Sequence, residues 1–176
     1  MKKLLSALVI SLLATSANAK IDQEKFDKDT AYYNAHKDDA KAITVLLSQF
    51  NSDRDGIREA FEGYASGDIT KWQKTLDKLK SARQYQDKLE AFSYFHACRS
   101  SVIYADLMWS SGSSMRNKPA EWNNPNDFDV KQFKEAKKTF QSEFSECKQA
   151  VRSAPQEKDY EESDEVEKVG SWELNK

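Results

Sequence analysis

Glycine, proline, histidine and cysteine are all scarce in this chain. Its 176 residues include only five glycines, three prolines, two histidines and two cysteines. So few turn-forming residues argue against an all-β domain, which needs regularly spaced turns, and against a glycine-rich loop that would cradle phosphates. Two histidines nearly exclude a metal site built from several of them. The scarcity of glycine and proline favours long α-helices.

Residues 1–19 have the pattern of a cleavable signal peptide. Lys2 and Lys3 precede an apolar stretch, and Ala17-Asn18-Ala19 then supplies the small-x-small pattern that signal peptidase recognises. The stretch has about eleven apolar residues, whereas a membrane span needs roughly 20. We therefore expect cleavage after Ala19, no membrane insertion of the mature chain, and a location in the periplasm rather than the extracellular medium.

The charge pattern gives no sign of a nucleic-acid partner. Loss of Lys2 and Lys3 with the signal peptide takes the formal net charge from −2 to about −4. Charges of both signs alternate through residues 20–154, so no basic stripe is available for a phosphate backbone. Residues 155–176 are polar, acidic and aperiodic. We expect a helical domain over 20–154, followed by a flexible acidic tail over 155–176.

Apolar side chains recur at helical spacing in several segments of the mature chain. The first stripe starts at Tyr33 and predicts a helix that ends near Asn51. A second short helix is predicted over 57–65, and Asp68 is the expected N-cap of a third. Because a helix from there to Gly112 would be unusually long, we expect a break between residues 79 and 85.

The second half of the domain is predicted to contain two helices joined by a disulfide. The segment 91–109 is apolar on several sides, as in a central helix, whereas 110–128 has no periodicity and predicts a loop. The last helix should begin near Asp129. Cys98 and Cys147 lie on the two helices and should form a disulfide in an oxidising compartment. The predicted fold is an all-α antiparallel bundle of about four to five helices with one disulfide.

Residues 51–62 match the spacing of a twelve-residue EF-hand loop, with Gly56 at position six. The oxygen ligands would come from Asn51, Asp53, Asp55, the Ile57 carbonyl and Glu62. Asparagine at position one and Arg58 at position eight depart from the EF-hand pattern. The alternative is an ordinary turn between two helices, with Ser52 as the cap of the second. Calcium is the one cofactor that the sequence suggests.

The sequence contains no catalytic signature such as GxSxG or HExxH. His36 and His96 fit hydrogen-bonded histidines at the edge of a core more readily than general bases. Abundant carboxylates leave a small hydrolase with paired acids as one alternative, and the calcium module as another. The leading prediction is a non-catalytic protein that binds another protein, as an inhibitor, immunity-type or chaperone-like protein does. Met115 and Trp122 in the predicted loop are its candidate contact residues, although Trp122 could also fold back over the bundle.

Overall fold

The computed structural model describes residues 21–52, 56–115, 118 and 123–161. It contains five α-helices in these residues: α1 (Gln23–Ser52), α2 (Gly56–Ser66), α3 (Thr70–Gln86), α4 (His96–Met115) and α5 (Phe128–Arg152). A short 3-10 helix, Glu157–Tyr160, follows α5. The described residues form no strand beyond one isolated bridge between Ile21 and Glu161. The predicted all-α fold is confirmed.

Four predicted features lie outside the described residues. They are the signal peptide at 1–19, the carboxylates of Asp53 and Asp55, the indole of Trp122, and residues 162–176 of the predicted tail. Within the part of the chain that is described, no helix combines the length and the apolar character that crossing a membrane requires.

Helices α4 and α5 form the most extensive contact in the bundle, and they run antiparallel. Cys98 near the start of α4 is bonded to Cys147 near the end of α5, with their Cα atoms 4.5 Å apart. Towards the opposite end of the pair, the Ser111 hydroxyl donates to Oε1 of Gln132 over 3.0 Å. The predicted disulfide and the antiparallel arrangement are both confirmed.

The predicted apolar stripes supply much of the core. Four residues of the α1 stripe are buried: Ala40, Ile43, Leu47 and Phe50. The α5 stripe buries Val130, Phe140, Phe144 and Cys147. Helix α4 contacts each of the other four helices, as expected of a central element. Burial of these stripes, rather than helix propensity alone, holds the elements in place.

The connection between α3 and α4 lies later than the predicted break. Helix α3 continues to Gln86, and residues 87–95 form a series of turns, so the predicted break between 79 and 85 and the predicted helical start at 91 are wrong. The guanidinium of Arg99 donates to the carbonyl oxygens of Gln86 at 3.3 Å and Leu89 at 2.9 Å. Because a helix leaves its last carbonyls without partners, a donor from α4 stabilises the end of α3 without a local glycine or proline.

Helix α4 also extends beyond its predicted end at Trp109. It continues through Gly112 to Met115, so the prediction of a loop from residue 110 is wrong for its first six positions. A Cβ atom on Gly112 would lie 2.6 Å from Cε2 of Phe61 and 3.0 Å from Cγ2 of Ile57. Gly112 is therefore a point of close approach between α4 and α2 and does not break the helix.

Gly112→Ala should lower the free energy of unfolding by up to about 2 kcal/mol. Overpacking a core costs typically 1–3 kcal/mol, and the helix propensity of alanine returns about 1 kcal/mol of it. Urea denaturation followed by circular dichroism measures the change. Ser110→Ala, at an exposed position of the same helix, is the matched control and should leave stability unchanged or slightly raised. A gain in stability from Gly112→Ala would contradict the close packing of α2 on α4.

Residues 155–161 belong to the folded domain rather than to the tail. The Tyr160 hydroxyl donates to Oδ2 of Asp29 at 2.9 Å, and its ring packs edge-on against Phe26 at 5.4 Å. Burial, followed by the bond to Asp29, raises the pKa of Tyr160 above its ordinary value. These contacts cover the first turns of α1, which begins ten residues before the predicted stripe. The boundary predicted at residue 155 is thus too early, because a polar segment packs here through one tyrosine.

Candidate functional site

The structure places Ile57, the predicted carbonyl ligand, in a helix rather than in a calcium loop. Helix α2 begins at Gly56, so positions six to twelve of the predicted loop are helical. The Ile57 side chain is buried, and its carbonyl lies inside a helix, where carbonyls bond to amides four residues onward. Glu62 is exposed in the second turn of α2. The carbonyl oxygen of Ile57 is therefore engaged in a helix and is not available as a calcium ligand. Asp53 and Asp55 lie outside the described residues. No side chain is described at Asn51.

The two predicted contact residues do not form a described surface. Met115 is 1% exposed in the last turn of α4, so its side chain is part of the core. The prediction that it lies on an exposed loop is wrong, because α4 is longer than the sequence pattern indicates. Trp122 lies outside the described residues.

His36 occupies the core edge on which the sequence places it. Its ring packs on Tyr32 with centroids 4.4 Å apart. Its Nδ1 atom is 3.7 Å from Oδ2 of Asp39, too long for a hydrogen bond. The other carboxylate oxygen of Asp39 accepts a 2.8 Å bond from Lys88, which raises the pKa of that lysine. His36 therefore packs on residues of its own helix. Its Nδ1 atom is shielded and has no hydrogen-bond partner among the described residues, so the prediction of a hydrogen-bonded histidine is wrong here.

The other histidine, His96, lies beside two glutamates of α5. His96 is the first residue of α4, and Glu143 and Glu146 are three residues apart on α5, a spacing that puts both on one face. One potential ligand atom from each of the three side chains lies within 4.8 Å of the other two. His96 and Glu146 are exposed and Glu143 is half-buried. We call these three residues the His96 cluster.

Two polar groups orient the side chains of the His96 cluster. The Nδ1 atom of His96 lies 3.3 Å from the carbonyl oxygen of Ser93, an acceptor that favours the tautomer protonated at Nδ1. In that tautomer Nε2 carries the free lone pair. The hydroxyl of Ser142 donates to Oε1 of Glu146 at 3.3 Å. Oε2 of Glu143, however, is shielded from solvent and accepts no hydrogen bond from any described residue.

The disulfide fixes the position of the His96 cluster. Cys98 follows His96 by two residues, and Cys147 follows Glu146 directly, so the covalent bond joins the two helices at the cluster itself. The sequence pattern singles out His96 but neither of the two glutamates. The available signal was the predicted bridge: once Cys98 pairs with Cys147, the neighbours of both cysteines in sequence must also be neighbours in space.

The turns of residues 87–95 carry a second feature of interest, an exposed phenylalanine. Phe92 has a relative exposed area of 102%, whereas Leu89 and Phe95 on either side are buried. The hydroxyl of Tyr32 accepts a 2.7 Å bond from the backbone amide of Glu90. These contacts hold the segment against the bundle while the ring of Phe92 faces solvent. We call residues 87–95 the Phe92 turn.

Comparison with known proteins adds no relative. No protein-family model, curated protein or solved structure matches this chain.

Proposed function

We propose that this is an exported, non-catalytic protein that binds another protein, with Phe92 as the anchor of its contact surface. The observation that carries the proposal is the complete exposure of this ring. Burying a phenylalanine side chain is worth roughly 1.5–3 kcal/mol, which the folded chain alone does not gain at this position. A partner with an apolar pocket for the ring would gain it.

The anchoring of the Phe92 turn supports this role. Leu89 and Phe95 are buried on both sides of the ring, and Arg99 donates to the carbonyl oxygen of Leu89. A segment held in this way loses little conformational entropy when a partner binds, so more of the contact energy appears as affinity. Aromatic side chains at the centre of a contact are also the residues that most often dominate binding energy.

Two features support export to the periplasm. Residues 1–19 have the charged, apolar and small-x-small regions of a signal peptide. The buried bond between Cys98 and Cys147 suits an oxidising compartment, because the reducing cytosol keeps most thiols free. The partner that we propose is therefore another exported protein, and the relationship is one of inhibition, immunity or chaperoning.

Phe92→Ser should greatly lower the amount of partner protein that the chain retains in a capture experiment. The mature chain is immobilised with its disulfide intact, exposed to periplasmic extract of the source bacterium, and the retained proteins are quantified by mass spectrometry. We expect one protein in about stoichiometric amount with the wild type, and at least a ~30-fold loss with Phe92→Ser, as for a residue that contributes about 2 kcal/mol or more.

Phe128→Ser provides the matched control for this experiment. Phe128 is 73% exposed at the start of α5, far along the helix from the end that lies near the Phe92 turn. Equal helix content in both variants, measured by circular dichroism, establishes that neither unfolds. Retention of the same protein in equal amounts by wild type and Phe92→Ser would contradict the proposed contact surface. Failure of the wild type to retain any specific protein would contradict the proposed function.

A further inference from the structure

We infer that His96, Glu143 and Glu146 bind one divalent transition-metal cation, for which Zn²⁺ is the natural probe. The inference goes beyond the proposed function and does not depend on it. It starts from the composition of the cluster, one imidazole and two carboxylates from two different helices. Nitrogen and oxygen donors in this proportion suit zinc and its first-row neighbours, whereas calcium takes six to eight oxygen ligands.

The spacing of the ligand atoms fits a cation between them. They lie within 4.8 Å of one another, yet no hydrogen bond or ion pair joins His96 to either glutamate in the described structure. Bonds of about 2.1 Å in a tetrahedral site place ligand atoms about 3.4 Å apart. Small side-chain rotations would therefore close the three groups around an ion, without movement of α4 or α5.

Glu143 provides the independent observation that points to a ligand. A carboxylate oxygen that is shielded from water and lacks a donor is destabilising, so such groups are rare in folded proteins. Glu146 adds a second negative charge beside it. No described residue donates to Oε2 of Glu143. A cation bound by this carboxylate would supply the partner that its shielded oxygen lacks.

The surroundings of the cluster resemble the outer shell of a metal site. Histidines that bind metals commonly donate their other ring nitrogen to a backbone carbonyl, and Nδ1 of His96 faces the carbonyl of Ser93. Ligating carboxylates are in turn hydrogen-bonded, as Glu146 is by Ser142. Three protein ligands leave a fourth position of a tetrahedral ion open to water or to a side chain of another protein.

Calorimetric titration of the mature, oxidised chain with ZnCl₂ tests the site. The protein is first treated with a chelator, and the expected result is saturation at one ion per chain with a rise in melting temperature. His96→Asn and Glu146→Gln should each weaken binding by at least ~10-fold, since even loss of an outer-shell partner has an effect of that size. CaCl₂ at the same concentration should not compete.

His36→Asn is the matched control, because it removes the other histidine, which also lies near a carboxylate. It should leave zinc affinity unchanged. Glu143→Gln separates a ligand from a structural residue. It should lower zinc affinity and yet leave the melting temperature of the metal-free protein equal or higher, since it removes a carboxylate whose shielded oxygen has no hydrogen-bond donor among the described residues. The site is overturned if millimolar zinc produces no heat and no thermal shift, if His96→Asn binds as tightly as wild type, or if Glu143→Gln retains full affinity.

Discussion

Replacing both Cys98 and Cys147 with alanine should lower the free energy of unfolding by about 4 kcal/mol. The two cysteines are 49 residues apart in sequence, and their bond closes that segment into a loop. Closing a loop of this length removes conformational entropy from the unfolded chain worth about 4 kcal/mol on the chain-entropy model. A domain has about 5–15 kcal/mol in total, so the bond contributes a large share of the stability.

Urea denaturation of the mature protein, followed by circular dichroism, measures this loss. Wild type in the presence of a strong thiol reductant is the control, because it loses the same bond without a change of sequence, and it should unfold at nearly the urea concentration of the double variant. A difference of less than about 1 kcal/mol between oxidised wild type and the double variant would mean that packing alone fixes α4 against α5.

The helices that could be predicted from the sequence are those whose apolar residues follow a regular stripe. Ile43 and Leu47 on α1, and Phe140 and Phe144 on α5, are buried as their spacing indicates. A stripe is a local signal, because it depends only on which side chains share a helix face. The first turns of α1 carry no stripe, since their partner is Tyr160 from the other end of the domain.

The errors arise where the structure depends on contacts between distant segments. The end of α3 is fixed by Arg99, which lies 13 residues beyond Gln86 and has no effect on local propensity. Gly112 resembles a helix breaker when it is considered alone, but Phe61 of α2 packs against it. The structural roles of Arg99 and Gly112 depend on contacts with distant segments. A pattern within one segment therefore could not predict them.

The His96 cluster was partly predictable: less so than the apolar stripes, but more so than the contacts of Arg99 and Gly112. His96 belongs to an aromatic run, and Glu143 and Glu146 belong to a charged helix face, so none of them stands out locally. The predicted disulfide nevertheless gave the one distance restraint that relates the two segments, and it is correct. Applying that restraint to the neighbours of each cysteine would have predicted the cluster, although not the shielded oxygen of Glu143, which depends on side-chain packing.

Phe140→Ala should destabilise the protein by about 3–5 kcal/mol, the range for a phenylalanine removed from a core. The Phe140 side chain is 1% exposed, and its ring stacks on Phe144 with centroids 5.4 Å apart and meets Phe50 of α1 at 6.0 Å. Its loss leaves a cavity between α1 and α5 that the disulfide cannot close, because that bond joins α5 to α4. The effect should therefore persist in the oxidised protein.

Phe128→Ala is the matched control for this prediction, since it makes the same substitution in the same helix. Phe128 is 73% exposed, and its truncation should change stability by no more than about 0.5 kcal/mol. Urea midpoints of the two variants, with equal slopes, give both values. Equal effects of the two substitutions would contradict the packing of α1 on α5 through Phe140. A large difference, with Phe140→Ala the less stable, places the energetic centre of that contact at the ring pair of Phe50 and Phe140.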